Sequence, residues 1–432
     1  MSSLDRRRIA LIDSSSPFHR TQSFQLDEIA TLQDAGATVI RLSPHMEELE
    51  RDIGAPYESQ LFHWIEPASY FKPKDDKAAS LLKGLVFRIC RIVYLLFFHA
   101  WNSLVTGLVF LFYFRKGLSF EDCRIGRSLA KSFKTYGIDL VWAVQYPWIK
   151  AGLVGANLSG IGIVGEELSY YRPDNRKKSI VRKEARLFKS LDSYLVASTS
   201  FSKYAESVYS IKPYAMSLAS RFGHVDSISP TEDDLRCLVF GTISKYRCFE
   251  QILDALVLFR DEAAPRKVFI DFVGEACDDD NQSFNQERLR VAYKEKIVSR
   301  GLEAFVQILD PVPLDDRVGL PKRYDVGFLF FDVPGGIDYL NAEPTRLWTY
   351  MGSGLALLGM NTPGLRTYIV KAQAGIVVDG FSPESIADGL RRFVALTNEE
   401  IDKFKSNSLR VAVERSWEMQ KPHFLQLFTK AL

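Results

Sequence analysis

The chain has 432 residues, with 55 Lys and Arg against 53 Asp and Glu, a formal net charge of +2. That balance excludes bulk nucleic-acid binding driven by charge alone. Its 47% apolar and 25% charged residues are ordinary for a globular protein, of a length that suits two to three domains. The five cysteines and six histidines are scattered without metal-ligand spacing, so no zinc pattern exists and the cysteines read as reduced thiols of a cytosolic protein.

The N-terminus, MSSLDRRRIALID, places charges before a short apolar run. The run is too short for a signal peptide and reads as a first strand, Ile9–Ile12. Apolar residues Leu26, Ile29, Ala30 and Leu32 then recur at helical spacing, Gly36 closes the helix, and Thr38–Leu42 is a second strand. This is a βαβ opening, but its first turn, SSSPFHRTQS, lacks the glycines of a dinucleotide fingerprint. His19 and Arg20 lie in that turn, facing an acceptor or phosphate, or solvent. Leu61–Ile65 reads as the third strand.

The pattern breaks at Leu81–Phe114, where Ile92 to Phe114 are 23 residues without a formal charge when His99 is neutral. On length alone this is a transmembrane candidate. A single crossing would put strands of one sheet on opposite sides of a membrane, and His99, Asn102, Ser103 and Thr106 mark a break near the middle. The reading is therefore a helical hairpin, or one amphipathic and one buried helix, in the membrane interface, with Lys83, Arg88, Arg91, Arg115 and Lys116 as headgroup anchors. Buried core or dimer helices and a spanning element are the alternatives.

Phe120–Tyr136 reads as a helix, and Leu140–Val144 and Ile161–Val164 as strands. Glu166 and Glu167 follow the latter at a strand's carboxyl end, where a buried carboxylate with a raised pKa suits a general base; helix capping and solvation are the plainer roles. RPDNRKKSIVRKEARLF (172–188) is a basic run, either a solvated helix face or a headgroup or pyrophosphate contact. Ser198 and Ser200 are N-cap candidates for a helix near Phe201, and Pro213–Leu218 is the last strand before the turn-rich linker 220–234.

In the second half, strand Arg236–Phe240 leads through Gly241-Thr242-Ile-Ser-Lys245-Tyr-Arg247 into helix Phe249–Arg260. Lys267–Val273 and Phe305–Leu309 are strands, with helix Gln286–Arg300 between them. Val326–Phe331, Leu355–Met360 and Ile376–Val378 read as buried parallel strands, and Pro344–Gly354 as a helix opened by Pro and closed by Gly. In open parallel sheets the ligand crevice lies beyond the strands' carboxyl ends, so the loop Asp332–Glu343 and the N-terminus of the Pro344 helix face a ligand, with phosphate favoured. A further helix, Ser382–Ala395, precedes a tail with Trp417, Phe424, Leu425, Leu427 and Phe428 at helical spacing.

PTRLWTYMGSGLAL resembles the donor-site segment of GT-B glycosyltransferases, especially the family 4-like group, which reads P-N-K-L-F-E-Y-M-A-A-G-K-P-V there. Pro344, Leu347, Tyr350, Met351 and Gly354 match in register, and Pro363-Gly364 and Gly375–Val378 follow in order. Glu184, Asp192 and Ser198 keep the order of a further family segment, and Gly223, Val225 and Asp226 weakly echo its N-G-V-D. The stretch from Gly241 resembles the family's G-R-L-x-x-x-K-G, whose Arg and Lys neutralise the donor diphosphate. Its Lys falls on Arg247, whereas its Arg falls on Thr242, with Lys245 as a second positive charge. The ribose-gripping carboxylate falls on Thr349 and the earlier one on Asn341, leaving Glu343 or Asp338 as substitutes.

The resemblance implies an α/β protein of GT-B type: an N-terminal domain 1–219 with an apolar insertion at about 78–116, a linker 220–234, a nucleotide-sugar domain 235–398 and C-terminal helices 399–432, the last crossing back to the first domain. It implies sugar transfer from a nucleotide diphosphate-sugar to a lipid-linked or polysaccharide acceptor by a protein peripheral on the inner membrane face. Gly241, Thr242, Lys245, Arg247, Glu343, Pro344, Thr345 and Thr349 would hold the donor, and Glu166 or Glu167 would act on the acceptor hydroxyl. No metal or separate cofactor is expected, because no DxD-type motif ends a strand. A catalytically degenerate GT-B-like partner subunit and a nucleotide-sugar epimerase are the other readings.

Overall fold

Short apolar runs bounded by turn residues become strands, and every strand pair is parallel. The computed structural model describes residues 4–12, 23–43, 58–61, 103–111, 113, 116–167, 177–216, 224–260, 262, 264–277, 286–312, 323–332 and 343–432. The first sheet has seven strands: β1 (Arg8–Ile12), β2 (Thr38–Ser43), β3 (Glu58–Leu61), β4 (Leu140–Val144), β5 (Gly162–Glu167), β6 (Ser193–Val196) and β7 (Tyr214–Ala215). Their order is β3-β2-β1-β4-β5-β6-β7. The second has six: β8 (Leu235–Phe240), β9 (Val268–Val273), β10 (Val306–Leu309), β11 (Val326–Leu329), β12 (Ala356–Met360) and β13 (Gly375–Val378), ordered β10-β9-β8-β11-β12-β13.

Each sheet has helices on its faces, and β4, β11 and β12 are buried along their whole length. That explains their unbroken apolar runs, since a parallel sheet covered on both sides has no solvent face to alternate toward. β3 begins three residues before the expected strand, and β5 runs on through Glu167. A helix not read from the sequence, Tyr146–Ser159, connects β4 and β5. His19, Arg20, residues 81–102, Gly223, Asp338 and Asn341 lie outside the described residues.

Each sheet has one position where successive connections leave in opposite directions. In the first sheet the chain steps outward from β1 to β2 and β3, then returns to β4 on the other side of β1. In the second it steps from β8 to β9 and β10 and returns to β11. The carboxyl ends of β1/β4 and β8/β11 are therefore the two switch points, where doubly wound sheets open a crevice.

The last two helices divide between the two sheets. Asn398–Glu414 opens with a capping box, Thr397 against Glu400, and packs beside helix Thr345–Gly352 of the second unit. Trp417–Ala431 crosses to the first. There the rings of Phe424 and Phe428 lie 6.0 and 5.6 Å from Trp142 of β4, and Trp417 Nε1 donates to Thr31 Oγ1 at 2.9 Å. Burying two phenylalanines on a sheet tryptophan ties the chain's end to its first half by the hydrophobic effect plus edge-to-face contact. Phe428→Ala is expected to destabilise the first unit by about 3–5 kcal/mol, measured by calorimetric unfolding with a shift of its transition below that of the second unit.

Candidate donor-binding site

At the β8/β11 switch point, β8 is followed by Gly241 at φ 101 and β9 by Gly274 at φ 154. The two turns are in close contact: a Cβ built on Gly274 would lie 1.8 Å from the Gly241 carbonyl oxygen. No other residue type fits there, because both the space and the backbone angle belong to glycine. Beyond the glycines the strands keep pairing, with Ile243 N–H donating to Glu275 O at 2.8 Å and Cys277 N–H to Ile243 O at 2.9 Å. The segment then tightens into a short 3-10 turn, Lys245–Arg247, before helix Phe249–Arg260. Thr242 and Lys245 are exposed, and Gly241 and Arg247 are half-buried.

The opposite wall is helix Thr345–Gly352, which starts after Pro344 and is buried along most of its length. Gly354 follows it at φ 67, in the left-handed conformation expected of a glycine past a helix end. Tyr350 fixes the helix to β8: its hydroxyl accepts the Phe240 N–H at 2.8 Å. Its ring packs on Gly327 of β11, where a Cβ would lie 2.4 Å from the ring. Asp332 N–H donates to Tyr246 O at 3.0 Å, joining the loop after β11 to the 3-10 turn. The structure thus gathers Gly241, Thr242, Lys245 and Arg247 beside the helix that carries Thr345 and Thr349. Cys248, in the same turn, is no nucleophile: burial and the Asp332 carboxylate push its thiol up to about 12, with Arg346 and Arg247 pulling the other way.

Two candidate residues have partners within the protein. Thr349 donates weakly to Thr345 O in its own helix at 3.4 Å, an i−4 bond characteristic of threonine in a helix interior. Glu343 lies at the junction of the two units. Its Oε1 accepts the Thr199 N–H at 3.0 Å and the Tyr368 hydroxyl at 2.8 Å. Thr199 opens helix Thr199–Tyr209, capped by Ser198 as expected, so Glu343 places its charge at a helix N-terminus of the other unit. Ser200 lies inside that helix rather than capping it.

Glu166 and Glu167 are the last residues of β5, not members of the following loop. Alternation along a strand sends their side chains to opposite faces of the sheet. Glu166 accepts from Trp142 Nε1 at 2.9 Å, on the face covered by Phe424 and Phe428. Glu167 accepts from the Tyr194 hydroxyl on the other face, where Tyr194 stacks on Phe188 at 4.6 Å. Both carboxylates are buried. Sequence reading missed two residues of interest. Gln145, after β4 at the β1/β4 switch point, holds φ 75 and ψ 147, a conformation costly for any residue but glycine; its signal was the proline at Pro147, which opens a helix directly behind the strand. Arg346 is buried just past the carboxyl ends of β8 and β11, where its Nη2 donates to Phe330 O at 3.0 Å, and its position inside a mostly apolar helix concealed it.

No family model and no curated protein matches this chain. Solved structures do match over its full length. A glycosyltransferase from Rickettsia africae ESF-5 aligns with TM-score 0.64 and 12% identity over 99% of this chain and 98% of its own. Anabaena Alr3699/HepE in complex with UDP and glucose aligns with TM-score 0.59 and 12% identity over 98% of both chains. The lipopolysaccharide outer core galactosyltransferase WaaB aligns with TM-score 0.57 and 12% identity over 98% of this chain and 99% of its own. The chain therefore has the GT-B fold, two Rossmann-like parallel-sheet units.

Burial raises the Glu166 carboxyl to about 7, against a partial opposing effect of the Trp142 N–H. An unfolded glutamate titrates near 4.5, so between these values the folded state holds a proton that the unfolded state has lost. Stability from this group is fully present below about 4.5 and falls as pH rises toward about 7. Glu166→Gln is expected to flatten that fall, read as a smaller change in Tm between pH 5 and 7 than the wild type shows.

Proposed function

We propose that the chain is a glycosyltransferase that moves a sugar from a nucleoside diphosphate-sugar to a lipid-linked or polysaccharide acceptor at a membrane surface. The observation that carries the proposal is the convergence of the glycine turns, Lys245, Arg247 and the start of helix Thr345–Gly352 on the β8/β11 switch point. A leaving nucleoside diphosphate gathers negative charge. Fixed cations and free helix N–H groups stabilise it in place, with no metal needed in this reading. The full-length likeness to HepE, whose structure contains UDP and glucose, supports the same ligand class. Exposed Thr242 and Thr345 then flank the donor, and the first unit contributes the acceptor side.

A second reading has its own observation. Thr349 is no carboxylate and bonds within its helix, and the Glu343 carboxylate is engaged in tying the two units together. A GT-B subunit that binds nucleotide without turning it over fits this. Calorimetric titration with UDP and GDP is expected to show binding of one of them, weakened roughly tenfold or more by Arg247→Ala. Release of that nucleotide from its sugar conjugate in the presence of a membrane extract supports transfer, whereas binding without release supports the subunit. Absence of any nucleotide binding would refute both.

The membrane part of the proposal rests on the uncharged run Ile92–Phe114 and its basic flanks. Within it, residues 103–111 form a helix that exposes Leu104, Leu108 and Leu111 at 58%, 54% and 70%. Among the described residues, no helix is long and apolar enough to cross a membrane. Apolar side chains beside basic ones suit a helix lying in the interface of an anionic leaflet, here the cytoplasmic one. The protein is expected to co-sediment with vesicles containing phosphatidylglycerol more than with neutral ones. Leu108→Glu with Leu111→Glu should abolish that difference; unchanged sedimentation would count against the contact.

A further inference from the structure

Helix 103–111 forms an outer layer on the first unit. Phe110 meets Phe120 edge to face at 6.4 Å, and Arg127 donates to Thr106 Oγ1 at 2.6 Å, so the helix lies along Phe120–Tyr136. Just beyond it, the Tyr113 hydroxyl is hydrogen-bonded to the side chain of Asn157 in helix Tyr146–Ser159. Between these elements runs a groove of about 430 Å³, lined by Val105, Leu108, Val109, Tyr113, Lys116 and Leu158. Lys116 is the one charged side chain among the described residues that line it. We propose that the groove holds the hydrocarbon chain of an anionic lipid, with Lys116 on the lipid's phosphate. This rests on the lipid-linked acceptor reading above and names the part of that acceptor held by the first unit.

Lys116 is half-buried, and burial lowers its pKa with no carboxylate among the described residues opposing the effect. Its Nζ lies 5.5 Å over the Tyr113 ring, an attraction that holds the charge at the groove without neutralising it. An ammonium partly withdrawn from water gains from an anion placed against it. Next to it Gly117 packs on Lys183, where a Cβ would lie 3.0 Å from the Lys183 Cβ, so the basic helix Lys178–Phe188 passes this end of the groove. The groove also has a direction. Lys116 precedes helix Phe120–Tyr136, which runs back toward the amino end of β4, so the cation lies on the crevice side of the sheet. Leu158 is in the last turn of Tyr146–Ser159, which leaves the carboxyl end of β4 and returns to the amino end of β5, so it lies on the far side. A phosphate on Lys116 therefore puts the lipid's head toward the crevice and its chain away from it. Leu108 and Leu158 are exposed, and the groove opens on the apolar face that also carries Leu104 and Leu111. A free phosphate would satisfy Lys116 and leave these leucines in water, whereas a long-chain phosphate covers both.

The test titrates the full chain by calorimetry with dodecyl phosphate, below its micelle-forming concentration, and with butyl phosphate. The wild type is expected to bind one dodecyl phosphate per chain, roughly 100-fold or more tighter than butyl phosphate, because each buried CH₂ adds to affinity. Lys116→Gln should weaken dodecyl phosphate roughly tenfold, and Lys116→Arg should not. Leu158→Trp, which obstructs the far end, should shrink the advantage of the long chain and leave butyl phosphate unchanged. Affinity independent of chain length, many dodecyl phosphates per chain with no saturating first one, or wild-type affinity in both Lys116→Gln and Leu158→Trp overturns the assignment. A signal lost in Arg247→Ala belongs to the donor site and overturns it too. If Lys116→Gln does not fold, Leu158→Trp, at an exposed position, decides by the chain-length ratio. Titration of the same protein with UDP and GDP separates this assignment from the reading it rests on. Nucleotide binding without a dodecyl phosphate site overturns the groove assignment alone, and binding of neither overturns both.

Discussion

Parallel pairing is the constraint on which the rest of the molecule depends. It puts every strand's carboxyl end on one edge of its sheet and leaves the loops there to build chemistry. The return from β10 to β11 across β8 opens a crevice at one place in the second unit. The glycine contact between Gly241 and Gly274 lets the backbones close at that place without side chains in the way. Tyr350 then fixes the neighbouring helix by bonding to the N–H of Phe240. Lys245 and Arg247 stand on the 3-10 turn beside this closure, and Arg346 on the helix that Tyr350 fixes.

Two kinds of contact join the units, and they differ physically. The crossing helix Trp417–Ala431 is held by apolar burial against Trp142, which is strong and insensitive to ionic conditions. Glu343 makes a small polar junction, a carboxylate at the start of helix Thr199–Tyr209 with the Tyr368 hydroxyl beside it. Proximity to that carboxylate and burial hold the Tyr368 hydroxyl in its protonated form as a donor. One contact makes the chain's end part of the first unit, and the other is the type of link that a change in domain spacing breaks first.

The second unit also holds a buried ion-pair network. Lys405, nearly inaccessible, pairs with Asp325 at 3.0 Å, and Asp325 also accepts the Arg236 N–H at 3.0 Å. Asp402 accepts both the N–H and hydroxyl of Thr231 at the end of the linker. This network lies at the amino ends of β8 and β11, away from the crevice, and sets where the linker enters the second unit. Removing one member would leave a buried charge unpaired, which costs far more than the pair itself contributes.

The amino-acid order alone determined much of this protein. Uninterrupted apolar runs marked the strands, because strands covered on both faces have no polar period; Pro344 and Gly354 marked the helix ends, because proline's fixed φ suits a helix start and glycine tolerates the positive φ past a helix end. The candidate segments Gly241–Arg247 and Pro344–Thr349 were legible for the same local reason. Tertiary structure decided what depends on distant neighbours. Glu166 and Glu167, adjacent in sequence, end on opposite faces of β5 because strands alternate. Glu343, read as a donor ligand, bonds to a helix 144 residues earlier. Arg346 drew no reading from the sequence, because its contact with Phe330 O past the end of β11 exists only once the sheet order is set. Local backbone preference is written along the chain, whereas the environment of a charge is set by segments far away in sequence.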